Sequence, residues 1–173
     1  MNWREKLIHN RQFIILNKKY TREDFFCLKI NEELYLSYQK NLNLKIIDTK
    51  LGKAYLIGIA FQVLEDKKNA IEEIKKIESA DEIRKCLATL SGRYILIIDS
   101  KLYMDFSGSL GVYYGEVESS LVISSSLALI QEIFQLETKK HITLEKSSLR
   151  YFPPPLTIIK GIKKLLCSEI LDY

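Results

Sequence analysis

Apolar runs separated by polar breaks make up the first sixty residues of the chain, and their short length favours β-strands. Five strands are predicted, at residues 13–16, 25–30, 34–38, 42–46 and 54–63. The polar tripeptide Asn31-Glu32-Glu33 predicts a hairpin turn between the second and third strands. The fifth run, from Ala54 to Val63, is almost wholly apolar, so we expect a central strand that is buried on both faces.

Apolar residues at helical spacing replace the strand pattern in the middle of the chain. Three helices are predicted from this spacing, at residues 70–77, 83–90 and 127–134. Ser79-Ala80-Asp81-Glu82 forms a capping box before the second helix: the serine oxygen can accept a hydrogen bond from the N–H of Glu82, and the glutamate reaches back. Gly92 is expected to end that helix, because glycine is common at helix C-termini.

Strand signals return after Gly92 and are followed by a proline-rich tail. Four more strands are predicted, at residues 94–98, 102–106, 112–115 and 121–125. A short helix is expected around residues 144–151, and Pro153-Pro154-Pro155 predicts an extended polyproline segment after it. Strands and helices that are grouped, rather than alternating one by one, indicate an α+β fold with largely antiparallel sheets.

Length, charge and hydropathy bear on the number of domains and on the partners that we expect. A chain of 173 residues fits one domain, and 26 basic against 22 acidic side chains leave a formal charge of only +4. The basic residues are scattered along the sequence, so we expect no nucleic-acid partner. No apolar run is long enough to span a bilayer, and the first residues lack the apolar core of a signal peptide. We therefore expect no membrane partner and a location in the cytoplasm.

The cysteines and histidines suggest no metal or redox chemistry. Cys27, Cys86 and Cys167 lie far apart and form no C-x-x-C pair. Cys27 and Cys86 stand among apolar neighbours and are expected to be buried thiols. His9 and His141 are the only histidines, and His141 stands in a polar run, where we expect it to be solvated.

Four segments in the second half of the chain resemble those of a known family. They read Leu-Ser-Gly-Arg-Tyr at 90–94, Asp-Phe-Ser-Gly-Ser-Leu-Gly-Val-Tyr-Tyr-Gly at 105–115, Leu-Val-Ile-Ser-Ser-Ser-Leu-Ala-Leu at 121–129 and Pro-Leu-Thr-Ile-Ile-Lys-Gly-Ile-Lys-Lys-Leu at 155–165. In this order they resemble class II glutamine amidotransferase domains, above all those at the amino end of asparagine synthetases and their relatives. The resemblance implies a four-layer αββα sandwich of two antiparallel sheets, the Ntn-type fold, as a single domain over residues 1–173. Residues 153–173 would then form a linker towards a synthetase domain.

The turn from Asp105 to Gly115 is explained by its backbone chemistry alone. Gly108, Gly111 and Gly115 permit the positive φ angles and the close backbone approach that a tight connection between strands needs. We expect either Gly108 or Gly111 to have a positive φ angle. The carboxylate of Asp105 can accept backbone N–H bonds within the turn.

The residues that the family uses to hydrolyse glutamine are replaced in this chain. The family's nucleophile is a cysteine at the mature amino terminus, whereas this chain begins Met1-Asn2-Trp3, and removal of Met1 would expose Asn2. Ile57-Gly58-Ile59 stands where the family has Asn-Gly-Glu, and Met104 replaces the arginine of its Arg-Asp pair. Ser126 or Leu127 replaces its glutamate after two serines. We predict no catalytic residue, metal or cofactor, and a vestigial site made of Gly58, Asp105, Gly108, Gly111, Ser124 and Ser125.

A non-catalytic scaffold is the function that these replacements indicate. Its partner would be an ATP-binding synthetase domain that forms amide bonds, in the same chain or in a partner chain, and the scaffold would also be able to form a homo-oligomer. The residues expected at the docking surface are Tyr151, Phe152, Pro154 and Leu165. Two alternatives stay open: an amidase or other hydrolase with Cys27, Cys86 or Ser124 as its nucleophile, and a free-standing binding module.

Overall fold

The computed structural model describes residues 11–63, 69–137 and 154–173, and these residues form two sheets and three helices. The strands are β1 (Phe13–Leu16), β2 (Phe25–Lys29), β3 (Tyr35–Gln39), β4 (Leu44–Thr49), β5 (Gly52–Gln62), β6 (Leu90–Ile98), β7 (Lys101–Met104), β8 (Tyr113–Val117), β9 (Ser120–Ser124), β10 (Ile162–Lys164) and β11 (Leu171–Asp172). The helices are α1 (Ala70–Lys75), α2 (Ala80–Thr89) and α3 (Leu127–Phe134). All pairs of neighbouring strands are antiparallel, which confirms the predicted α+β class. The chain divides into two compact units and passes between them after Leu42, Leu110 and Leu166.

The first unit holds a six-stranded sheet in the order β10-β8-β9-β1-β3-β2. β1 is buried along its whole length, and it lies inside the sheet between β3 and β9. Helix α3 packs on one face, where Ile14 and Val122 of the sheet share an apolar core with Leu129 and Ile130 of the helix. Ser126 caps α3 by accepting a hydrogen bond from the backbone N–H of Leu129.

The second unit holds a five-stranded sheet in the order β11-β7-β6-β5-β4. Its two longest strands, β5 and β6, pair from Tyr55 to Gln62 of β5. Helices α1 and α2 cover one face of this sheet, because Leu56 of β5 shares an apolar core with Ile74 of α1 and Ile83 of α2. The unit therefore has a helix-covered face and an opposite face that α1 and α2 leave uncovered.

Side chains cap the amino ends of the two helices in the second unit. Asn69 accepts the N–H of Ile71 at the start of α1, and Ser79 accepts the N–H of Glu82 at the start of α2, as its sequence predicts. The carboxylate of Glu82 reaches back, but it accepts from the N–H of Glu78, one residue before the serine. The capping box is thus confirmed, with its reciprocal bond moved by one residue.

Two sequence predictions about the strands of this unit are wrong. Gly92 does not end α2: the helix ends at Thr89, and Gly92 lies inside β6, paired with Ala60 of β5. β5 is not buried on both faces throughout: only residues 54–57 are buried, and alternate side chains beyond Gly58 are exposed. The exposed side chains of Ile59 and Phe61 lie on the face opposite α1 and α2, and beyond residues 52–57, the part of β5 that pairs with β4.

The tail contributes strands to both sheets, because β10 joins the first and β11 joins the second. Pro154 and Pro155 lie in a turn, with a cis peptide bond between them, so the expectation of an extended polyproline segment is wrong for these two residues. Pro153 and the helix expected around residues 144–151 lie outside the described residues.

Candidate functional site

A buried carboxylate holds the turn that follows β7. Asp105 is only 2% exposed. Its carboxylate accepts hydrogen bonds from the hydroxyl of Ser107 at 3.0 Å, from the backbone N–H of Ser109 at 3.1 Å and from the hydroxyl of Ser109 at 2.8 Å. Its own N–H donates to the carbonyl of Tyr94 on β6 at 3.0 Å. The prediction that Asp105 accepts N–H bonds within its own turn is confirmed, and these bonds give the carboxylate a structural role.

Gly108 is the residue of this turn that needs the freedom of glycine. Its φ angle is +57°, in the left-handed region, which confirms the prediction of a positive φ at Gly108 or Gly111. A Cβ atom at Gly108 would lie 3.2 Å from the Cβ of Cys167. Gly111 has no positive φ angle, and a Cβ atom there would meet the ring of Tyr113 at an ordinary 3.6 Å. The turn therefore tolerates a side chain at Gly111 better than at Gly108.

Gly58 lies where two strands approach closely, between two apolar neighbours. Its φ angle is +96°, its N–H donates to the carbonyl of Asn43 at 2.8 Å, and a Cβ atom would clash with the carbonyl oxygen of Arg93 on β6. Ile57 is buried and Ile59 is exposed. Neither hydrocarbon side chain can donate a hydrogen bond to an oxyanion or bind the amine of glutamine.

The serine hydroxyls before α3 make structural hydrogen bonds. Ser124 is fully buried, and its Oγ donates to the carbonyl of Phe13 at 2.9 Å and accepts from the N–H of Ser126 at 3.1 Å. The Oγ of Ser125 donates to Oε1 of Gln12 at 2.8 Å and accepts from the N–H of Phe13 at 2.9 Å. These two serines fasten the start of β1 to the end of β9.

A polar network at the start of β1 was not predicted from the sequence. The side chain of Gln39 accepts from the N–H of Gln12 at 3.0 Å and donates to Asp24 at 2.9 Å. Arg22 forms ion pairs with Asp24 at 2.9 Å and with Glu132 of α3 at 3.4 Å. Burial alone would raise the pKa of Asp24, but the hydrogen bond from Gln39 and the charge of Arg22 lower it overall. The residues of this polar network are distant in sequence, so no local motif predicts it.

Cys27 and Cys86 are half-buried, less than the sequence predicts, and Cys167 is exposed. Burial, and then the charge of Glu73, raise the pKa of Cys86 to about 11. Its thiol is therefore protonated at neutral pH, and a protonated thiol is a poor nucleophile. His9 and His141 lie outside the described residues.

The expected docking residues have different environments. Pro154 is exposed, whereas Leu165 is 2% exposed and its N–H donates to the carbonyl of Val112, so Leu165 packs inside its own unit. Tyr151 and Phe152 lie outside the described residues.

Among residues 11–63, 69–137 and 154–173, no group of three histidine, cysteine, aspartate or glutamate side chains is placed to hold a metal ion. In the same part of the chain, no helix has the length and apolar character needed to cross a membrane. Comparison with protein-family models gives no match to this chain. A search of curated proteins also finds none that matches.

Proposed function

We propose that this chain is a non-catalytic scaffold domain of the Ntn type, related to the glutamine amidotransferase domain at the amino end of asparagine-synthetase-like proteins. The observation that carries the proposal is the contrast between backbone and side chains at positions that correspond to the family's motifs. Gly58 and Gly108 have positive φ angles, a backbone region that favours glycine. The residues that would bind glutamine are isoleucines. Glycines at these backbone positions, together with apolar side chains in place of the polar ones, fit a domain that keeps the family's fold and lacks its reaction.

The fold components are compatible with this relationship. Two antiparallel sheets, one packed with α3 and the other with α1 and α2, are what a four-layer αββα sandwich requires. The partner in this proposal is an ATP-binding synthetase domain, which supplies the amide-forming chemistry. A cytoplasmic location fits the three free thiols, because a reducing compartment keeps cysteines unpaired.

Glutamine hydrolysis by the purified chain is the direct test of the missing chemistry. We expect no ammonia above the buffer background when the protein is incubated with glutamine, because Ile57 and Ile59 offer the substrate no polar contact. An enzymatic ammonia assay measures this, and an active glutaminase in the same buffer is the positive control. Turnover that disappears in Cys27→Ala or Cys86→Ala would overturn the scaffold and favour a hydrolase.

The hydrolase alternative finds little support in the candidate nucleophiles. Ser124 is fully buried, and its hydroxyl already donates to a backbone carbonyl. The thiol of Cys86 is held in its protonated form. Cys27 is half-buried in β2, and its register partner Ser37 supplies no base. Covalent catalysis needs a general base that activates the nucleophile, but the charged group near Cys86, the carboxylate of Glu73, raises the pKa of the thiol and keeps it protonated.

The scaffold role itself is tested through the partner. The tagged chain is crosslinked at native expression levels in its own cells, and the crosslinked proteins are identified by mass spectrometry. We expect an ATP-binding synthetase domain, and we expect ATP–pyrophosphate exchange from the isolated complex but not from this chain alone. A chain that is recovered only with proteins that bind no nucleotide would contradict the proposal.

A further inference from the structure

β5 extends beyond its neighbour β4 and has a free side there. The register of β4 with β5 ends at Leu44 opposite Ile57, and one more bond joins the N–H of Gly58 to the carbonyl of Asn43. On its other side β5 stays paired with β6 as far as Gln62. We call residues 59–63 the β5 overhang.

Among the residues that the structure describes, no strand pairs with the backbone groups on the β4 side of the β5 overhang. Backbone groups of successive strand residues point to opposite sides. The N–H of Gly58 points to the β4 side, and the N–H of Val63 donates to Thr89 on the β6 side. The N–H and C=O groups of Ala60 and Gln62 therefore point to the side where β4 has ended. Within the described residues, no strand is paired with them there.

The side chains of the β5 overhang form an exposed apolar row. Ile59 is 63% exposed, Phe61 is 54% exposed and Val63 is 60% exposed. Ala60, between the first two, packs against the core under α1 and α2, so Ile59 and Phe61 lie on the opposite face of the sheet. This apolar row and the unpaired edge run along the same five residues.

A cationic side chain, that of Arg93, lies beside the apolar row. Arg93 is the register partner of Ile59 on β6, so the two side chains lie on the same face of the sheet, and Arg93 is exposed. In the described part of the chain, Arg93 forms no ion pair. An exposed guanidinium beside an apolar row favours a carboxylate as its counterpart.

We propose that the β5 overhang binds an extended segment of a partner protein as an additional strand, with apolar side chains at alternate positions and a carboxylate that faces Arg93. An added strand would pair with Ala60 and Gln62 while its alternate side chains cover Ile59 and Phe61. A second copy fits less well, because residues 59–63 read Ile-Ala-Phe-Gln-Val and offer no carboxylate to Arg93. Binding at the β5 overhang does not depend on the scaffold function. The results of the glutaminase and crosslinking experiments therefore neither support nor contradict it.

Selection of peptides tests the side-chain part of the proposal. A phage-displayed library of random decapeptides is panned in parallel on the wild-type chain and on Arg93→Glu. We expect the wild type to enrich sequences with alternating apolar residues and an acidic residue, and Arg93→Glu to replace the acidic residue by a basic one. No enrichment on the wild type, or the same sequences on both proteins, would overturn the proposal.

The backbone part is tested with the strongest selected peptide and Ala60→Pro. Proline removes only the N–H that points to the free side, so the pairing with β6 remains. We expect about tenfold weaker binding or more by fluorescence anisotropy, the loss that corresponds to about one hydrogen bond. N-methylation of the peptide at alternate residues gives an independent test if Ala60→Pro does not fold. Undiminished binding of every N-methylated peptide would show that no strand is added.

Self-association is the competing outcome for the same surface. Light scattering over a range of protein concentrations is compared for the wild type and Phe61→Ser. We expect a monomer in both cases. A wild-type dimer that Phe61→Ser dissociates would assign the β5 overhang to a second copy and overturn the partner segment.

Discussion

Two residues, Asp105 and Gly108, determine the shape of the turn after β7. Asp105 supplies a buried carboxylate that accepts from Ser107 and Ser109, and Gly108 supplies a backbone conformation that other residues adopt with strain. Gly111, three residues later, has an ordinary backbone and room for a side chain. Gly108 and Gly111 of the resembling motif are therefore not equivalent.

Valine at position 108 should destabilise the protein more than valine at position 111. A β-branched residue at φ +57° costs about 1–3 kcal/mol, and its Cβ would also crowd Cys167 at 3.2 Å. We expect a smaller loss for Gly108→Asn, because asparagine tolerates the left-handed region, and a smaller loss for Gly111→Val. Urea denaturation of the three variants measures the free energy of unfolding. Equal losses for Gly108→Val and Gly111→Val would contradict the assignment of Gly108.

Cys86 should make stability fall at alkaline pH. Burial, followed by the charge of Glu73, raises the pKa of its thiol from 9.0 to about 11 in the folded chain. The unfolded thiol ionises first as pH rises, so the stabilising contribution is full below about pH 9 and is lost towards about pH 11. The melting temperature of the wild type should drop more steeply than that of Cys86→Ala in this window. Parallel curves for the two proteins from pH 8 to pH 11 would refute the raised pKa.

At the scale of elements, two glycines let β5 and β6 approach each other closely. Gly58 and Gly92 flank the register pair of Ile59 and Arg93, at φ +96° and +131°. A Cβ atom at either glycine would clash with a carbonyl oxygen of the opposite strand, that of Arg93 or that of Ile59. The strand pair thus depends on missing side chains at two positions.

Alanine at Gly58 should cost more stability than alanine at Gly52. Both glycines have positive φ angles, but a Cβ atom at Gly52 meets nothing within 4 Å. Gly52→Ala therefore measures the conformational cost alone, about 1 kcal/mol, whereas Gly58→Ala adds a backbone clash for a total of about 3 kcal/mol. Thermal or urea denaturation of both variants gives the difference. If Gly58→Ala and Gly52→Ala lose the same free energy of unfolding, the close approach of β5 and β6 does not require glycine at position 58.

The elements that follow from local patterns were predicted well from the sequence. The hairpin of β2 and β3 and the strand β1 follow from apolar runs and their polar breaks, and α3 follows from its spacing. The turn at Asp105 was also predictable, because the side-chain donors to its carboxylate lie within four residues.

Features that depend on distant residues were missed for a physical reason. The exposed end of β5 is a consequence of where β4 stops, which the composition of β5 does not encode. The network of Gln12, Gln39 and Asp24 joins three separate segments. Gly92 resembled a helix end because helix α2 passes directly into β6, and only strand pairing distinguishes the two roles.

At the scale of the whole molecule, each unit is assembled from two separated stretches of chain. The first unit combines the residues up to Leu42 with Gly111–Leu166, and the second combines Asn43–Leu110 with Cys167–Tyr173. β11 is only two residues long, yet it covers the edge of β7, and the N–H of Tyr173 donates to the carbonyl of Ser100. The short last stretch therefore completes a sheet that begins far earlier.

Deletion of residues 167–173 should weaken the second unit at β7. The deletion removes β11 and leaves Lys101 and Leu102 without a partner strand on that side, while their pairing with β6 remains. We expect faster amide hydrogen exchange in β7 and a lower melting temperature, while exchange in β1 stays as in the full chain. Hydrogen exchange followed by mass spectrometry measures both strands in one experiment. Unchanged protection of residues 101–104 would show that β11 adds nothing.

This division of each unit between two stretches has a consequence for the nascent chain on the ribosome. β1 emerges well before its partner strand β9, because Phe13 accepts a hydrogen bond from Ser124, which lies 111 residues further along. The edge of β7 likewise stays unpaired until β11, within residues 167–173, has been made. Neither sheet can close until its last strand, β10 or β11, has been made, so apolar strands such as β1 stay exposed to other chains during that interval. We expect newly made protein to rely on chaperones and to fold slowly, since contacts of this separation form late.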